Sequence, residues 1–332
     1  MSLFDANFDY EYQLKTGVLK RDKKRLELLR EFEYIYFLTE QNKTSLSSNN
    51  EYSEDYLQKI ESLGFTIPSL VPASTDATYW WGKLQNIEKE KKFNSQIFST
   101  SLALDMGIAP KDTIILERLD QLENLQSKEF VLKEEFGMSG RGVKKLDLNS
   151  KNWALKKLEK GERLVGQPRL KRILDFGVSY KKKEGRYFIT KNMITPSGRF
   201  LGGVYLENLS HLNLFLKDKV NIEVIIEKVI QRILDERIED DFQFDCFFYD
   251  NNGKVTLYPL VEINYRKTMG DTIKNISRVL GPGLWYMGKP LSIIGEAGVV
   301  PLSPATSHIR GSYLRCKLEK IPELETLISS SN

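Results

Sequence analysis

A chain of 332 residues is longer than a typical single domain, so we expect two or three packed units, and its two cysteines exclude a disulfide scaffold. Hydrophobic residues make up 41% and charged residues 28%, which disfavours a disordered chain and a membrane protein. The net charge of +4 is too small to indicate a nucleic-acid-binding surface unless basic residues cluster on one face.

The cysteine, histidine and N-terminal patterns narrow the class of protein further. Cys246 and Cys316 do not have CxxC spacing, and His211 and His308 form neither HExxH nor a paired zinc motif. The first residues lack the order of a signal peptide, and no stretch approaches the roughly 20 apolar residues that cross a bilayer. We therefore expect a reduced, cytoplasmic protein whose chemistry needs neither zinc nor a histidine base.

The first 90 residues alternate helical patterns with short β-rich segments. Residues 21–33 and 56–63 predict helices, whereas 33–38 (EYIYFL) and 65–72 (FTIPSLVP) predict strands. The polar residues 41–54 predict a surface loop. This order predicts a small α/β unit that can contain a parallel sheet.

The rest of the chain has longer helices and several hairpins. Apolar periodicity predicts helices at 84–107, 119–125, 153–160 and 220–238. A strand is predicted at 113–117, and turn residues between β-rich runs predict hairpins at 130–148, 186–207 (turning at Pro196-Ser197-Gly198) and 242–264 (turning at Asn252-Gly253).

A glycine-rich turn follows a strand that carries a lysine. Lys133 precedes Gly137, Ser139, Gly140 and Gly142. An ammonium group beside backbone N–H groups that no side chain covers forms a surface suited to a polyphosphate. The segment contains neither GxxxxGK[ST] nor GxGxxG, and it equally fits an ordinary glycine hairpin beside an incidental lysine.

Oxygen-bearing side chains gather on the last predicted hairpin. Glu262 and Asn264 are two residues apart on a strand and therefore share a face. A two-residue turn places Asp245 opposite Leu260, one diagonal step of roughly 7 to 8 Å from Glu262, unless Pro259 introduces a bulge. Such oxygen ligands suit Mg²⁺ or Mn²⁺ held jointly with substrate phosphates, and the alternative is a solvated acidic edge.

The order of these motifs resembles that of the ATP-grasp superfamily. VLKEEFGMSGRGV looks like its lysine strand and glycine-rich loop, and the hairpin ending in EINYR looks like its metal-binding strand pair. The resemblance implies a mixed α/β and α+β fold, with a two-lobed clamp preceded by a small α/β, pre-ATP-grasp-like domain. The implied divisions are 1–90 for that domain, 91–165 for the lobe with the glycine-rich loop, 166–310 for the lobe with the metal site and 311–332 for a C-terminal tail.

The resemblance also implies roles for individual residues. Those implied to bind ATP are Lys133, Gly137, Ser139, Gly140, Gly142, Val165, Gln167 and Asp175, with Val165 and Gln167 at the adenine and Asp175 near the ribose. Those implied to hold Mg²⁺ are Asp245, Glu262 and Asn264. Arg266 completes Glu-x-Asn-x-Arg and resembles the arginine that holds the carboxylate and the acyl phosphate, although a surface salt bridge is the alternative.

Two positions depart from the pattern of the superfamily. Gln96 stands where an earlier phosphate-binding lysine is usual, and Lys91 and Lys92 are the nearby cations that could replace it. Gln167 stands where the hinge acid is usual. One phosphate contact and one nucleotide contact are therefore expected to differ in this chain.

The implied activity is that of an ATP-grasp carboxylate–amine or carboxylate–thiol ligase that depends on Mg²⁺ or Mn²⁺. ATP would convert the carboxylate of a small-molecule or peptide-like substrate into an acyl phosphate, which an amine or a thiol attacks. Positioning and charge neutralisation dominate such chemistry, so the scarcity of histidine is no obstacle. A kinase and a catalytically degenerate nucleotide-binding or scaffold protein are the alternatives. No nucleic-acid or membrane partner is expected, and a homodimer is one expectation because members of the superfamily are often dimers.

Overall fold

The computed structural model describes residues 2–17, 23–39, 44–48, 50–74, 76–125, 129–137, 142–195, 198–217, 219–288 and 298–330. Within these residues the strands form three sheets, each built from a continuous or nearly continuous part of the chain. None of the helices in the described ranges is both long and apolar enough to cross a membrane.

The first sheet is parallel, as predicted for the N-terminal region, and has the order β3-β2-β1-β4. Its strands are β1 (Leu3–Asp5), β2 (Ser45–Ser48), β3 (Ser69–Pro72) and β4 (Thr78–Tyr79). The helices of this unit are α1 (Tyr10–Thr16), α2 (Lys23–Phe32), α3 (Ile35–Thr39) and α4 (Glu54–Ser62). The predicted surface loop at 41–54 is wrong in part, because it contains β2 and Leu46 of that strand is fully buried.

The predicted strand at 33–38 is also wrong, because residues 35–39 form α3. Four successive apolar residues, 35–38, are buried there, and so short an apolar run cannot distinguish a strand from a helix buried on all sides. Asn275 donates a hydrogen bond to the carbonyl oxygen of Leu38 at 2.6 Å, which satisfies a group that the end of the helix leaves unpaired.

The second sheet is antiparallel, with the order β5-β8-β6-β7. Its strands are β5 (Ile114–Leu116), β6 (Phe130–Glu134), β7 (Val143–Lys145) and β8 (Leu164–Pro168). The helices in this part of the chain are α5 (Ile87–Phe93), α6 (Gln96–Asp105), α7 (Leu119–Glu123) and α8 (Leu148–Leu158), of which α6 also packs against the third sheet. The single helix predicted at 84–107 is two helices, because the side chain of Ser95 caps α6 by accepting a hydrogen bond from the backbone of Phe98.

The third sheet is antiparallel and has the order β13-β12-β9-β10-β11-β14-β16-β15. Its strands are β9 (Lys171–Lys181), β10 (Arg186–Ile194), β11 (Phe200–Leu206), β12 (Phe242–Asn251), β13 (Lys254–Asn264), β14 (Gly283–Gly288), β15 (Val299–Pro301) and β16 (Arg310–Arg315). The accompanying helices are α9 (Glu223–Asp235), α10 (Met269–Leu280) and α11 (Ile321–Ser330), with short 3₁₀ turns at Leu209–Leu214 and Leu318–Lys320. Of the turn predicted at Pro196-Ser197-Gly198, the first two residues lie outside the described residues.

The third sheet contributes to two separate cores. Around β9, β12 and β13, aromatic and aliphatic side chains pack against α9. At β14 and β16, Trp285 and Tyr313 are fully buried and join the core of the N-terminal unit. Trp80 and Trp81 belong to this second core, so they serve packing at the junction between the units. The third sheet therefore connects the N-terminal unit to the region where the candidate site lies.

Candidate functional site

The hairpin β12–β13 brings two carboxylates face to face. Its turn is at Asn252 and Gly253, as predicted, and both residues have positive φ angles of 55° and 87°. The predicted register is wrong further along, because Asp245 pairs directly with Glu262 rather than with Leu260. Directly opposed residues in an antiparallel pair have Cβ atoms roughly 4.5 to 5.5 Å apart, so the carboxylates are nearer than a diagonal pair would be.

An irregularity in β13 causes this change of register. Between the pairs Asp245–Glu262 and Phe247–Tyr258, residues 259–261 of β13 stand opposite Cys246 alone. Pro259 lies in this stretch and has no N–H to donate to the ladder, which favours a bulge at this position. The Cys246 thiol donates to the Pro259 carbonyl oxygen at 3.1 Å and is buried, as expected for a structural cysteine.

Hydrogen bonds hold Asp245 in one orientation. Gln243 Nε2 donates to Asp245 Oδ1 at 3.0 Å, and Asn264 Nδ2 donates to Asp245 Oδ2 at 3.4 Å. Gln243 is fixed in turn, because its Oε1 accepts from the hydroxyl groups of Thr268 at 2.7 Å and Ser179 at 3.0 Å. Asp245, Glu262 and Asn264, the predicted metal ligands, therefore meet at one place on the sheet.

Cations from two sheets face these carboxylates. The pKa of Glu262 is raised to about 7: burial and the charge of Asp245 raise it, and Arg266 and Lys133 partly offset the rise. Burial also raises the pKa of Asp245, with Arg266 and Arg172 acting in the opposite direction. Two closely spaced anions are thus only partly compensated by the side chains around them.

The pKa values of two nearby cations are lowered, whereas those of the carboxylates are raised. The pKa of Lys133 is lowered to about 8: burial and the charge of Arg172 lower it, and Glu262 acts in the opposite direction. The pKa of Arg172 is lowered to about 10: desolvation lowers it and Asp245 partly offsets the fall, although 41% of the side chain is exposed. Strongly shifted acids and bases in one cluster are typical of functional sites.

Arg266 is buried against the N-terminal unit. Its Nε lies 2.7 Å from Oε1 of Glu11 on α1, and the two side chains are only 13% and 10% exposed. The guanidinium carbon also lies 5.5 Å from the centre of the Trp81 ring. Arg266 therefore does form a salt bridge, although a buried one rather than one on the surface, and the N-terminal unit contributes a charge to the site.

The predicted adenine-binding segment lies beside the lysine strand. Val165 on β8 is the direct ladder partner of Lys133 on β6. Gln167 is 3% exposed, and its Nε2 makes no hydrogen bond of good geometry among the described residues, although it lies close enough to the Tyr258 hydroxyl to act on the pKa of that group in the lowering direction. Asp175 on β9 is buried and forms an ion pair with Arg172. An unsatisfied buried amide is costly, so a ligand that accepts a hydrogen bond from Gln167 would fit here.

The glycine-rich loop is described only at its two ends. The backbone N–H of Glu134 donates to the carbonyl oxygen of Gly142 at 2.9 Å, which closes the hairpin near Gly137. Gly142 has a positive φ of 86°, a conformation that glycine adopts without strain. Ser139 and Gly140 lie outside the described residues.

Neither Gln96 nor Lys92 supplies a cation to the site. Gln96 begins α6, and its Nε2 donates to the carbonyl oxygen of Val261 at 2.6 Å, so it fastens the helix to β13 next to Glu262. The Lys92 ammonium lies 2.8 Å from a carboxylate oxygen of Glu236, at the end of α9.

The three-dimensional arrangement is that of the ATP-grasp fold. The chain is similar to N5-carboxyaminoimidazole synthetase from Staphylococcus aureus, with a TM-score of 0.56, 12% identity and coverage of 90% of this chain and 94% of that one. An N5-carboxyaminoimidazole ribonucleotide synthetase crystallised with ADP gives a TM-score of 0.53 at 11% identity, with coverage of 90% and 93%. The corresponding protein from Thermus thermophilus gives 0.51 at 10% identity, with coverage of 98% and 97%.

These similarities confirm the predicted fold. No family model matches the sequence, and no curated protein matches it. Sequence reasoning missed Arg172, Gln243 and Glu11, which lie on three different elements. Gln243 could have been found from the sequence, because it stands two residues before Asp245 and therefore on the same face of the strand. Nothing in the local pattern indicated the other two residues.

Proposed function

We propose that the chain is a Mg²⁺- or Mn²⁺-dependent ligase that uses ATP to activate a carboxylate as an acyl phosphate, which an amine or a thiol then attacks. The observation that carries the proposal is the meeting of Lys133, Arg172 and Arg266 with Asp245 and Glu262 in one cluster. Phosphoryl transfer depends on positioning and charge neutralisation more than on a titrating base. The cluster supplies cations for phosphate and carboxylate oxygens and anions for a metal ion.

The donor set fits Mg²⁺ or Mn²⁺. Asp245, Glu262 and the amide oxygen of Asn264 are hard ligands of the kind these ions prefer. The described residues contain no cluster of three or more Asp, Glu, His or Cys side chains suited to a metal ion, so phosphate oxygens and water would complete the coordination. When bound, the ion would neutralise charge on the phosphates of ATP and relieve the repulsion between the two carboxylates.

The nucleotide would lie between the second and third sheets. The side-chain amide of Gln167 would bind adenine, with Val165 beside it on the same strand, and Asp175 would accept hydrogen bonds from the ribose. Lys133 and the glycine-rich loop would bind the phosphates. The pKa of Lys133, lowered to about 8, leaves the ammonium mostly charged at neutral pH and poorly solvated, a state in which a phosphate is a strong partner.

Arg266 would hold the substrate carboxylate. A guanidinium presents paired N–H donors that match a carboxylate or an acyl phosphate, and Glu11 and Trp81 fix its orientation. A preorganised cation stabilises charge that develops during transfer without having to reorganise. The substrate would be a small-molecule or peptide-like carboxylate.

The test is release of ADP measured across a grid of carboxylates combined with amines and thiols. Turnover that requires both partners supports the ligase, turnover with a single acceptor would indicate a kinase, and ATP binding without turnover would indicate a nucleotide-binding scaffold. Glu262→Ala should abolish metal-dependent ADP release. Asp250→Ala is the matched control on the same hairpin, because Asp250 lies near the turn and pairs with Lys171. Equal activity in the two variants would contradict the assignment of the metal site.

A further inference from the structure

A bulge in β9 turns Arg172 toward the proposed nucleotide site. Residues 172 and 175 of a regular strand point to opposite faces of the sheet. Here Phe248 pairs with Leu174 and Tyr249 pairs with Arg172, so Ile173 is an extra residue without a partner on β12. The extra residue moves Arg172 onto the face that carries Asp175. Both residues are accessible at this end of β9, where the side chain of Arg172 is 41% exposed and Ile173 is 44% exposed.

The same face of β12 carries the metal-site carboxylate. Asp175 pairs with Phe247 and Arg172 pairs with Tyr249, and both partners share a face with Asp245 because alternate residues of a strand do so. The Arg172 guanidinium forms an ion pair with Asp175 and lies 4.4 Å from the centre of the Phe247 ring. The arginine is thus held over the sheet by an aromatic face and a carboxylate.

The charge of Arg172 influences the pKa of both groups between which phosphates would lie. Its charge lowers the pKa of Lys133 on the second sheet and also that of Asp245 on the third. Gln96 is neutral and bonded to β13, and Lys92 pairs with Glu236. The start of α6, at Gln96, therefore carries no cation for the site, whereas β9 provides one in Arg172.

We propose that Arg172 is the phosphate-binding cation that replaces the lysine absent at Gln96, exchanging Asp175 for a nucleotide phosphate when ATP binds. The inference rests on the proposed function. A guanidinium suits this exchange because its paired donors can leave one carboxylate for a phosphate of similar geometry. Release from Arg172 would leave Asp175 available to the ribose.

The test compares ATP, ADP, AMP and adenosine by isothermal titration calorimetry with wild-type protein, Arg172→Gln and Arg172→Lys. Arg172→Gln should weaken ATP and ADP binding about tenfold or more, the loss expected for one charge-assisted contact, and leave adenosine within about twofold. Arg172→Lys, which keeps the charge but not the paired donors, should recover only part of that loss. Arg169→Gln is the matched control, since Arg169 is 56% exposed and lies 3.8 Å from Glu129.

A second variant separates phosphate binding from a structural role. Gln96→Lys combined with Arg172→Gln should restore ATP affinity at least threefold over Arg172→Gln alone. A purely structural arginine predicts equal losses for ATP and adenosine and no rescue by Gln96→Lys, and either result overturns the inference. Unchanged ATP binding in Arg172→Gln overturns it as well. Wild-type protein that binds none of the four ligands refutes the proposed function itself.

Discussion

Glu262→Gln should make the protein more stable when no metal ion is present. Glu262 has a pKa of about 7 in the folded protein against an ordinary value of 4.5, mainly because it is buried and faces Asp245. The folded state therefore holds the proton more tightly than the unfolded chain does, and stability is lost as the pH rises from 4.5 through 7. A glutamine removes this loss because it remains neutral.

The size of the effect follows from the two pKa values. The difference between 4.5 and about 7 corresponds to about 3 kcal/mol above pH 7. For a chain of 332 residues, that free energy corresponds to a rise of about 4 °C in Tm. The gain should be nearly complete at pH 8 and fall to about a quarter of that at pH 5, where the wild-type carboxyl is mostly protonated in the folded protein.

The gain in Tm can be measured directly by differential scanning calorimetry at both pH values, with and without MgCl₂ or MnCl₂. A metal ion should raise the Tm of the wild type at pH 8 and leave Glu262→Gln almost unchanged, because the variant lacks one ligand. Asp250→Asn is the control: its carboxylate accepts a hydrogen bond from Gly253 N at 2.7 Å, which lowers its pKa, so the substitution should give no gain. A lower Tm for Glu262→Gln at pH 8 with an unchanged metal response would refute the reasoning.

Raising the pH from 7 to 9 should weaken Mg²⁺-free ADP binding about tenfold in calorimetric titrations, since Lys133 loses its proton near pH 8, whereas Lys133→Arg should lack this loss. Glu11→Gln should lower the free energy of unfolding in urea by about 2 kcal/mol because it removes the carboxylate that pairs with a buried guanidinium, and Glu184→Gln, at an exposed pair, should change it by less than about 1 kcal/mol; equal losses would contradict the burial argument. Gly202→Ala should cost more than about 3 kcal/mol in the same assay, because a Cβ there would overlap a neighbouring backbone carbonyl, whereas Gly253→Ala, with open space around it, should cost about 1 kcal/mol; similar costs would show that backbone strain alone matters.

Local chemistry made part of the site predictable. Asn252 and Gly253 favour a tight hairpin turn, and that turn fixes which strands pair. The alternation of side chains then placed Glu262 and Asn264 on one face together with Asp245. These inferences need only neighbouring residues, which explains why they could be made from the sequence.

Irregularities in the strands made the rest unpredictable. The bulge around Pro259 shifted the partner of Asp245 by two residues, and the bulge at Ile173 turned Arg172 to the opposite face. The buried run at 35–38 has strand-like composition, yet tertiary packing makes it a helix. Glu11 reaches Arg266 only because the N-terminal unit packs against the third sheet, a contact across 255 positions that no local pattern encodes.

The shared core at β14 and β16 has a consequence for the order in which the chain can fold during synthesis. Trp285 and Tyr313 complete the core of a unit whose own sheet is formed within the first 79 residues. On a ribosome, those early residues emerge long before their packing partners do. The N-terminal unit must therefore remain incompletely packed until β16 has been translated, and a chain truncated before that strand would expose the apolar surface around Phe8 and Trp80.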